Sequence, residues 1–306
     1  MTTTKQILNE LNHIPSEGIN PTSEQIDLMT TTEALRCINQ QDSLVAGAVA
    51  RAIPEITQAV NAAVICLKQG GRLVYIGAGT SGRLGILDAV ECRPTFSVPS
   101  NVVVGIIAGG ETALINAVEG AEDDIGAAQQ DLENIQFNQQ DMLIGIAASG
   151  RTPYVIGALN YAKSINATTA CIVCNPNAPL IEIAKIGICA NVGPEVLTGS
   201  TRMKSGTAQK LILNMISTAS MIQLGKTYKN LMVDVNATNQ KLVARAIRIV
   251  MQATECEEQV AVDALSIANN SAKLAILKIL TNSDIITCEN LLAGNGGFLR
   301  KALDAV

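Results

Sequence analysis

A glycine-rich loop between an apolar run and a helical pattern constrains this chain more than any other feature. Residues 72–76 predict a strand, residues 77–82 (GAGTSG) form the loop, and residues 83–90 follow a helical pattern. A helix N-terminus carries unpaired backbone N–H groups and a partial positive charge, and glycines let an anion approach the backbone. Because Thr80 and Ser81 add hydroxyl donors, this first loop predicts a phosphate-binding site.

The first loop also matches G-x-G-x-x-G, the fingerprint of dinucleotide-binding proteins. That interpretation requires an acidic residue at the end of the next strand to hold a ribose. The run 102–107 is instead followed by Ala108 and two glycines, and Glu111 comes only after them. A smaller phosphorylated ligand is therefore favoured over a dinucleotide, and a tight strand-to-helix turn with no ligand is the third interpretation.

Composition argues against several classes of function. Aromatic residues make up 2% of the 306 residues, Trp is absent, the net charge is -5 and no basic run occurs, so neither nucleic acid nor a membrane surface is expected as a partner. No apolar run reaches the roughly 18 residues of a membrane helix, and residues 1–6 lack a signal-peptide stretch. Eight cysteines, mostly in apolar runs, indicate reduced thiols in a cytoplasmic protein.

Histidine is nearly missing from the chain. The single residue of this type, His13, lies in a polar N-terminal segment. Histidine-based triads and multi-histidine metal sites are therefore not expected. Cys171 and Cys174 form a lone CxxC that begins within a strand-like run, so a metal or redox role is not expected there either.

Strand and helix patterns alternate from residue 73 to residue 190. Apolar runs joined by helical patterns predict an α/β fold with a doubly wound, five-stranded parallel sheet covered on both faces. The predicted strands are 73–76, 102–107, 142–147, 169–174 and 186–190. The predicted helices between them lie near 82–92, 111–134, 153–165 and 178–184.

Helical segments flank this region on both sides. Residues 1–56 predict an N-terminal helical arm and residues 57–227 the sheet domain, which closes with a long helix over 200–224. Residues 228–306 contain no convincing strand and predict a small helical C-terminal region. Its helical patterns lie near 238–252, 257–268, 270–280 and 283–292.

Two later loops share the character of the first. The second loop (residues 147–152) precedes a helix that starts at Pro153, and the third loop (residues 198–201) opens the long helix. Strand-to-helix loops of a parallel sheet lie at its carboxyl edge, where ligands bind. Ordinary N-capping explains any one loop, but three together favour one anionic ligand. The predicted contacts are Thr80, Ser81, Ser149, Thr152, Ser200 and Thr201.

The three loops, in this order, resemble the sugar isomerase (SIS) domain, which binds phosphosugars. Longer strings resemble the N-acetylmuramic acid 6-phosphate etherase family, and the resemblance spans nearly the whole chain. These strings are residues 77–92, 117–123, 145–154, 200–210 and 230–235. One departure is Arg93, where the family pattern has proline in Glu-Cys-Pro-Pro-Thr. The glucokinase regulatory protein of vertebrates shares much of the pattern but is far longer.

This resemblance implies an activity and its site. The family cleaves the lactyl ether at C3 of N-acetylmuramate 6-phosphate and releases N-acetylglucosamine 6-phosphate and D-lactate. A base removes the C2 proton, which is acidic beside the C1 aldehyde, an acid protonates the departing lactate oxygen, and water then adds. The resemblance implies Glu91 as the proton donor, Glu122 as the second carboxylate, taken as the base, no metal or redox cofactor, and a homodimer.

The sequence around Glu91 predicts its position in the helix without the resemblance. Pro94 biases its predecessor away from helix, so the helix that begins near Gly82 is expected to end by Arg93. Glu91 then falls in the last turn, where the helix dipole raises the pKa of a carboxyl group, as burial also does. The alternative is a surface glutamate in a frayed turn.

Glu122 stands among other acidic residues, Glu119, Asp123 and Asp124. By the residues alone, a solvated acidic turn at the start of a helix is the favoured interpretation, and only the resemblance selects Glu122.

Two other functions remain open. A sugar-phosphate isomerase begins with the same C2 proton removal, but isomerases of this fold often open the ring with histidine, and only His13 is available. A phosphosugar sensor that regulates a partner is the non-enzymatic alternative. Residues 228–306 lack the basic face that DNA binding requires, whereas a protein partner stays open.

Overall fold

Helices precede the central sheet in the computed structural model, which describes Leu11, residues 14–234 and residues 240–306. His13 lies outside the described residues. Two short 3-10 turns are followed by three helices, and Pro54 occupies the first turn of the third, where proline is favoured. The segments are Pro15–Glu17, Ile26–Leu28, α1 (Thr31–Asp42), α2 (Val45–Arg51) and α3 (Ile53–Lys68).

The first described residues are fastened to a later segment, residues 192–199. The Asn20 side-chain amide donates to the Pro194 carbonyl at 3.2 Å, and the Ser23 hydroxyl donates to the Val196 carbonyl at 2.7 Å. The backbone N–H of Gly199 donates to the Ser16 carbonyl at 3.0 Å. We call residues 14–23 the clasp, because three hydrogen bonds hold them against this segment.

The predicted five-stranded parallel sheet is confirmed. Its order is β2-β1-β3-β4-β5, so the connections from β1 and β3 diverge at the point where the strand order reverses. The apolar runs are fully buried in β1 and β3, as strands covered on both faces require. The strands are β1 (Leu73–Gly77), β2 (Val103–Ile107), β3 (Met142–Ile146), β4 (Thr168–Val173) and β5 (Ile186–Cys189).

Helices cover both faces of the sheet and follow the predicted order, with two corrections. The helix expected over 111–134 is broken, because the Asp124 carboxylate caps a new helix by accepting from the N–H groups of Gly126 and Ala127. The helices are α4 (Gly79–Phe96), α5 (Thr112–Ile115), α6 (Ile125–Asn134), α7 (Pro153–Ser164) and α8 (Pro179–Ile183), with a 3-10 turn over Ala121–Asp123.

The second correction concerns α4, which passes through Pro94 and ends at Phe96 rather than by Arg93. Proline lacks one N–H, so it removes a single hydrogen bond near the helix end, and the last turn closes without it. The Ser97 N–H donates to the Arg93 carbonyl at 3.0 Å, and the Thr95 hydroxyl donates to the Glu91 carbonyl at 2.8 Å.

The described residues form two compact units, one within residues 1–90 and 101–217 and the other within residues 91–100 and 218–306. The core of the first unit packs sheet residues such as Ile76 and Leu143 against helix residues such as Leu159. Burial of each such side chain contributes about 1.5–3 kcal/mol. The long helix α9 (Lys204–Gln223) begins within this unit, four residues later than the sequence predicts.

The second unit is mainly helical. It contains α10 (Gln240–Thr254), α11 (Glu258–Ile267), α12 (Ala272–Thr281), α13 (Ile285–Gly294) and α14 (Leu299–Asp304). The expectation of no strand after residue 228 is wrong, because a short antiparallel ribbon pairs β6 (Thr227–Tyr228) with β7 (Leu231–Met232). Lys229, at φ +53°, provides the tight turn between them.

Among the described residues, no single helix has the length and apolar character to cross a bilayer. Within the described ranges, one pair of helices, α11 and α12, reaches that length and apolar character when taken together, with a 114° bend between them.

Candidate functional site

The first loop brings the start of α4 against the ends of β1 and β2. An added Cβ at Gly82 would lie 2.7 Å from the Gly77 carbonyl oxygen and 2.6 Å from the Ile107 side chain, so only glycine permits this approach. The Gly82 N–H donates to the Ala78 carbonyl at 3.2 Å. The N–H groups of residues 79–81 precede that bond, in the part of a helix where backbone donors lack intrahelical acceptors.

The second loop follows β3, the neighbour of β1, so the two loops lie side by side at the carboxyl edge. Gly150 adopts φ +68°, and an added Cβ there would lie 2.2 Å from the Cβ of Ala178. The Ser149 hydroxyl accepts from the Arg151 N–H at 3.3 Å. Thr152 is the N-cap of α7, but within the described part of the chain its side chain makes no capping hydrogen bond. The Thr152 side chain therefore leaves the backbone N–H groups at the start of α7 without a capping acceptor.

The third loop behaves differently from the other two. The N–H groups of Lys204 and Ser205 donate to the Glu195 carboxylate at 3.0 and 2.9 Å. The next two N–H groups, of Gly206 and Thr207, donate to the backbone carbonyls of Thr201 and Met203. The first turn of α9 is thus satisfied within the protein, and the hydroxyls of half-buried Ser200 and Thr201 are what this loop offers a ligand.

Lys204 is also internal rather than directed at a ligand. Its side chain is 1% exposed, and its ammonium donates to the Gln41 amide oxygen and the Val192 carbonyl, both at 2.9 Å. Burial lowers the pKa of Lys204, while the negative charges of Glu195 and Asp42 act in the opposite direction. Arg202, by contrast, is exposed.

Hydrogen bonds link the first loop to the N-terminal half of α9 directly and the second loop to it through one residue, while the third loop leads into that helix. The Ser81 hydroxyl of the first loop donates to the Gln209 amide oxygen on α9 at 3.0 Å. The second loop is connected through Cys174, whose backbone N–H donates to the Ala148 carbonyl at 2.9 Å and whose thiol donates to the Ser205 carbonyl at 3.8 Å. The six hydroxyls predicted as contacts thus belong to loops that share one neighbouring helix.

A cleft of about 320 Å³ adjoins the first loop. Gly79 and Arg83 form one wall, and the acidic turn that carries Glu119 and Glu122 forms another. The Arg83 guanidinium donates to two backbone carbonyls of the α5 segment, at 3.0 and 2.7 Å. These bonds hold the Arg83 side chain in place in the first wall. Glu122 therefore presents an exposed carboxylate to a cleft bounded by a glycine-rich helix start.

Glu91 has surroundings other than those expected. It is exposed and lies five residues before the end of α4, so it is in neither the last turn nor a buried position. It belongs to the second compact unit, whereas the lining of the cleft comes entirely from the first. Arg93, two residues on, is also exposed.

Three polar residues near the site were missed in the sequence. Glu195 caps a helix that starts nine residues later, so local capping patterns do not reveal it. Gln209 lies in a helical run, within one of the strings that resemble the family, but the sequence assigns it no role. Buried Asp88 accepts from the Tyr75 hydroxyl at 3.0 Å, the Asn214 amide at 2.7 Å and the Ser217 hydroxyl at 3.1 Å. These contacts connect α4 to β1 and α9.

None of the eight cysteines is in a disulfide. Burial raises the pKa of both Cys171 and Cys174 to about 12, so the CxxC pair is protonated at neutral pH and is a poor nucleophile or metal ligand. Within the described ranges, no group of three or more His, Cys, Asp or Glu side chains is arranged to hold a metal ion.

Three segments of the chain match known domain families. Residues 55–163 match the N-terminal SIS domain of the glucokinase regulatory protein, and residues 121–219 match the SIS domain. Residues 229–287 match the C-terminal lid domain of the glucokinase regulatory protein. Among solved structures, a phosphoheptose isomerase from Francisella tularensis has a TM-score of 0.48 at 18% identity, covering 63% of this chain and 100% of that one.

Curated relatives match over nearly the full length. An N-acetylmuramic acid 6-phosphate etherase of Pseudoalteromonas atlantica is 61% identical over 97% of both chains. One from Actinobacillus pleuropneumoniae is 58% identical over 98% of both. The N-acetylmuramic acid 6-phosphate etherase 2 of Vibrio cholerae is 55% identical over 99% of this chain and 98% of its own. At this identity and coverage, the chain belongs to the N-acetylmuramic acid 6-phosphate etherase family.

Proposed function

We propose that this chain is a carbon–oxygen lyase that cleaves the D-lactyl ether of N-acetylmuramic acid 6-phosphate. The products are N-acetylglucosamine 6-phosphate and D-lactate. The observation that carries the proposal is the 61% identity, over 97% of the chain, to a protein named for this activity. The cleft beside the first loop supports it, because that cleft joins a glycine-rich helix start to a carboxylate.

The phosphate binds at the carboxyl edge of the sheet in this proposal, within a phosphosugar-binding domain of residues 57–227. Thr80 and Ser81 contribute from the first loop, Ser149 and Thr152 from the second. The open N-terminus of α7 supports this assignment, since its partial positive charge favours an anion. Ser200 and Thr201 contribute hydroxyls only, because the N–H groups at the start of α9 are already paired.

Glu122 acts as the base and Glu91 as the acid in the proposed mechanism. Glu122 removes the C2 proton of the open-chain sugar, and the electron pair forms the C2–C3 double bond as the C3–O bond breaks. Glu91 protonates the departing lactate oxygen. Water then adds across the double bond, with its oxygen at C3 and a proton at C2. The position of Glu122 in the cleft beside Gly79 supports its role, whereas Glu91 is assigned through the family motif alone.

Assembly and location form part of the same proposal. We infer a homodimer, supported by strongly exposed apolar side chains in the N-terminal region, Leu28, Leu35 and Leu44, which are 76%, 61% and 55% exposed. We also infer a cytoplasmic location, which the eight cysteines, none of them in a disulfide, support. Light scattering of the purified protein tests the dimer directly.

Proton NMR of the protein with N-acetylmuramate 6-phosphate in D₂O tests the activity. Release of lactate, with deuterium at C2 of the N-acetylglucosamine 6-phosphate formed, is the expected result. Exchange at C2 without lactate release would instead indicate an isomerase. Tight binding with neither change would indicate a phosphosugar sensor. Ser149→Glu should abolish phosphosugar binding in calorimetry while the circular dichroism spectrum stays unchanged.

A further inference from the structure

The side chain of Gln209 presents an unusual polar group beneath the first loop. Gln209 is 1% exposed, and its Nε2 amide nitrogen has no hydrogen-bond partner among the described residues. More than nine in ten buried polar groups are paired, and an unpaired buried donor is costly, so such a group calls for an explanation. The other end of the same amide bonds to Ser81, one of the residues assigned to the phosphate.

The direction of the bond between these two side chains matters for ligand binding. The Ser81 hydroxyl donates to the Gln209 Oε1 atom at 3.0 Å. A hydroxyl has one proton, so a Ser81 that donates inward to Gln209 cannot also donate to a phosphate oxygen. In this arrangement Ser81 offers a bound anion only lone pairs, which repel it.

Rotation of the Gln209 amide by half a turn reverses this bond, and leaves the Oε1 acceptor instead of the Nε2 donor without a described partner. Nε2 then donates to the Ser81 oxygen, so the unpaired donor gains a partner, and the Ser81 proton is free to point at the ligand. The new hydrogen bond to phosphate is charge-assisted and roughly twice as strong as the neutral bond it replaces. A bound phosphate therefore favours the rotated amide, and an empty site does not require it.

We propose that Gln209 is a positioning residue that sets the direction of the Ser81 hydroxyl and makes it a phosphate donor when the phosphosugar binds. The inference rests on the proposed phosphosugar site and extends it to a residue on α9 that does not itself contact the ligand. A side chain with only acceptors at position 209 would hold the Ser81 proton inward and oppose binding.

Calorimetry with N-acetylglucosamine 6-phosphate tests the proposal in a double-mutant cycle with Gln209→Glu, Ser81→Ala and the double variant. We expect Gln209→Glu to weaken binding about tenfold at pH 8, and to add little further loss in the Ser81→Ala background. Direct repulsion between the phosphate and the carboxylate that Gln209→Glu introduces would weaken binding in the Ser81→Ala background as well. A loss of affinity that acts through the Ser81 hydroxyl would not appear there. Gln223→Glu, an exposed change of the same charge on the same helix, is the matched control.

The outcomes separate this inference from the proposed function. If Ser81→Ala weakens binding but Gln209→Glu binds within twofold of the wild type, the inference is overturned and the site stands. Equal losses from Gln209→Glu in both backgrounds would also overturn it. If Ser81→Ala binds like the wild type, the phosphate assignment of the first loop is wrong and the inference with it. Gln209→Met, similar in volume, replaces Gln209→Glu if the latter does not fold. It removes the Nε2 donor that would hold the Ser81 proton toward the ligand, so a severalfold loss is expected, and that loss should disappear in the Ser81→Ala background.

Discussion

The Glu195 carboxylate binds Ser205 twice, with Oε1 accepting from the Ser205 backbone N–H at 2.9 Å and from its hydroxyl at 2.8 Å. The second oxygen accepts from the Lys204 N–H at 3.0 Å. Glu195 is fully buried, so the protein itself supplies the negative charge that the start of α9 would otherwise attract from a ligand. This pairing supports the proposed placement of the phosphate at the first two loops, with only hydroxyl groups contributed by the third.

Glu195→Gln should destabilise the fold by about 3 kcal/mol. The amide keeps one acceptor but turns an N–H₂ group toward a backbone donor, which leaves buried donors facing each other. Urea unfolding monitored by circular dichroism measures the change. Glu257→Gln is the control, because Glu257 is also at a helix start but its side chain makes no capping bond within the described residues. Equal stability of both variants would mean that the carboxylate does not hold α9.

Gly150→Ala should displace the second loop and weaken phosphosugar binding. Its φ of +68° strains any other residue, and the new methyl group would lie 2.2 Å from the Ala178 Cβ. Gly193→Ala is a close control, with the same φ of +68° but no described atom within 4 Å of the added methyl group. We expect Gly150→Ala to lose about 1–3 kcal/mol more unfolding free energy than Gly193→Ala. Equal losses would show that backbone strain alone matters.

Glu122→Gln and Glu91→Gln should fail at different steps. Without its base, Glu122→Gln should lose C2 deuterium exchange and ether cleavage together, by about 10²–10⁴-fold. Without its acid, Glu91→Gln should lose ether cleavage yet still exchange the C2 proton of N-acetylglucosamine 6-phosphate in D₂O. Proton NMR follows both reactions.

Glu119→Gln serves as the control for these two variants, because Glu119 lines the same cleft without an assigned role. It should keep most of the activity. If C2 deuterium exchange were instead lost in Glu91→Gln and kept in Glu122→Gln, Glu91 would be the base and Glu122 the acid.

Alkaline pH should weaken the fold through its buried thiols. Burial raises the pKa of Cys171 to about 12 from an ordinary value of 9.0, so between these values the unfolded thiol is ionised while the folded thiol keeps its proton. The unfolded state then binds fewer protons, and the unfolding free energy falls by about 1.4 kcal/mol per pH unit for this thiol. Its contribution is complete below pH 9 and is lost progressively above it.

Urea unfolding at pH 8, 9 and 10 measures this loss. Cys171→Ala should show a smaller decline above pH 9 than the wild type. Ile172→Val, a neighbouring buried change without an ionisable group, should lower stability equally at every pH. An identical alkaline decline in Cys171→Ala would contradict the assignment.

The sheet could be predicted because its cause is local. Buried parallel strands need apolar runs, and turns and helix starts need Gly, Ser and Thr, so the sequence marks each of the five strands and each of the three loops. The short ribbon β6–β7 was missed, since two-residue strands carry no periodicity. The end of α4 was placed too early, because the cost of Pro94 depends on how many turns follow it.

The polar contacts within the site could not be predicted in the same way. Glu195 caps α9 from nine residues away, and Gln209 meets Ser81 across 128 positions of the chain. Such pairs exist only after the sheet order has brought their elements together. The sequence therefore indicates which loops carry hydroxyls, and tertiary structure decides which of those groups remain open to a ligand.

The clasp has a consequence for shortening the chain at its N-terminal side. A chain begun at the internal Met29 would lack Ser16, Asn20 and Ser23, and with them the three hydrogen bonds to the segment that carries Glu195. Such a product would keep every strand and both proposed catalytic glutamates. Its α9 would nevertheless start from an unsupported segment, so the shortened protein would keep its sheet but hold its third loop poorly.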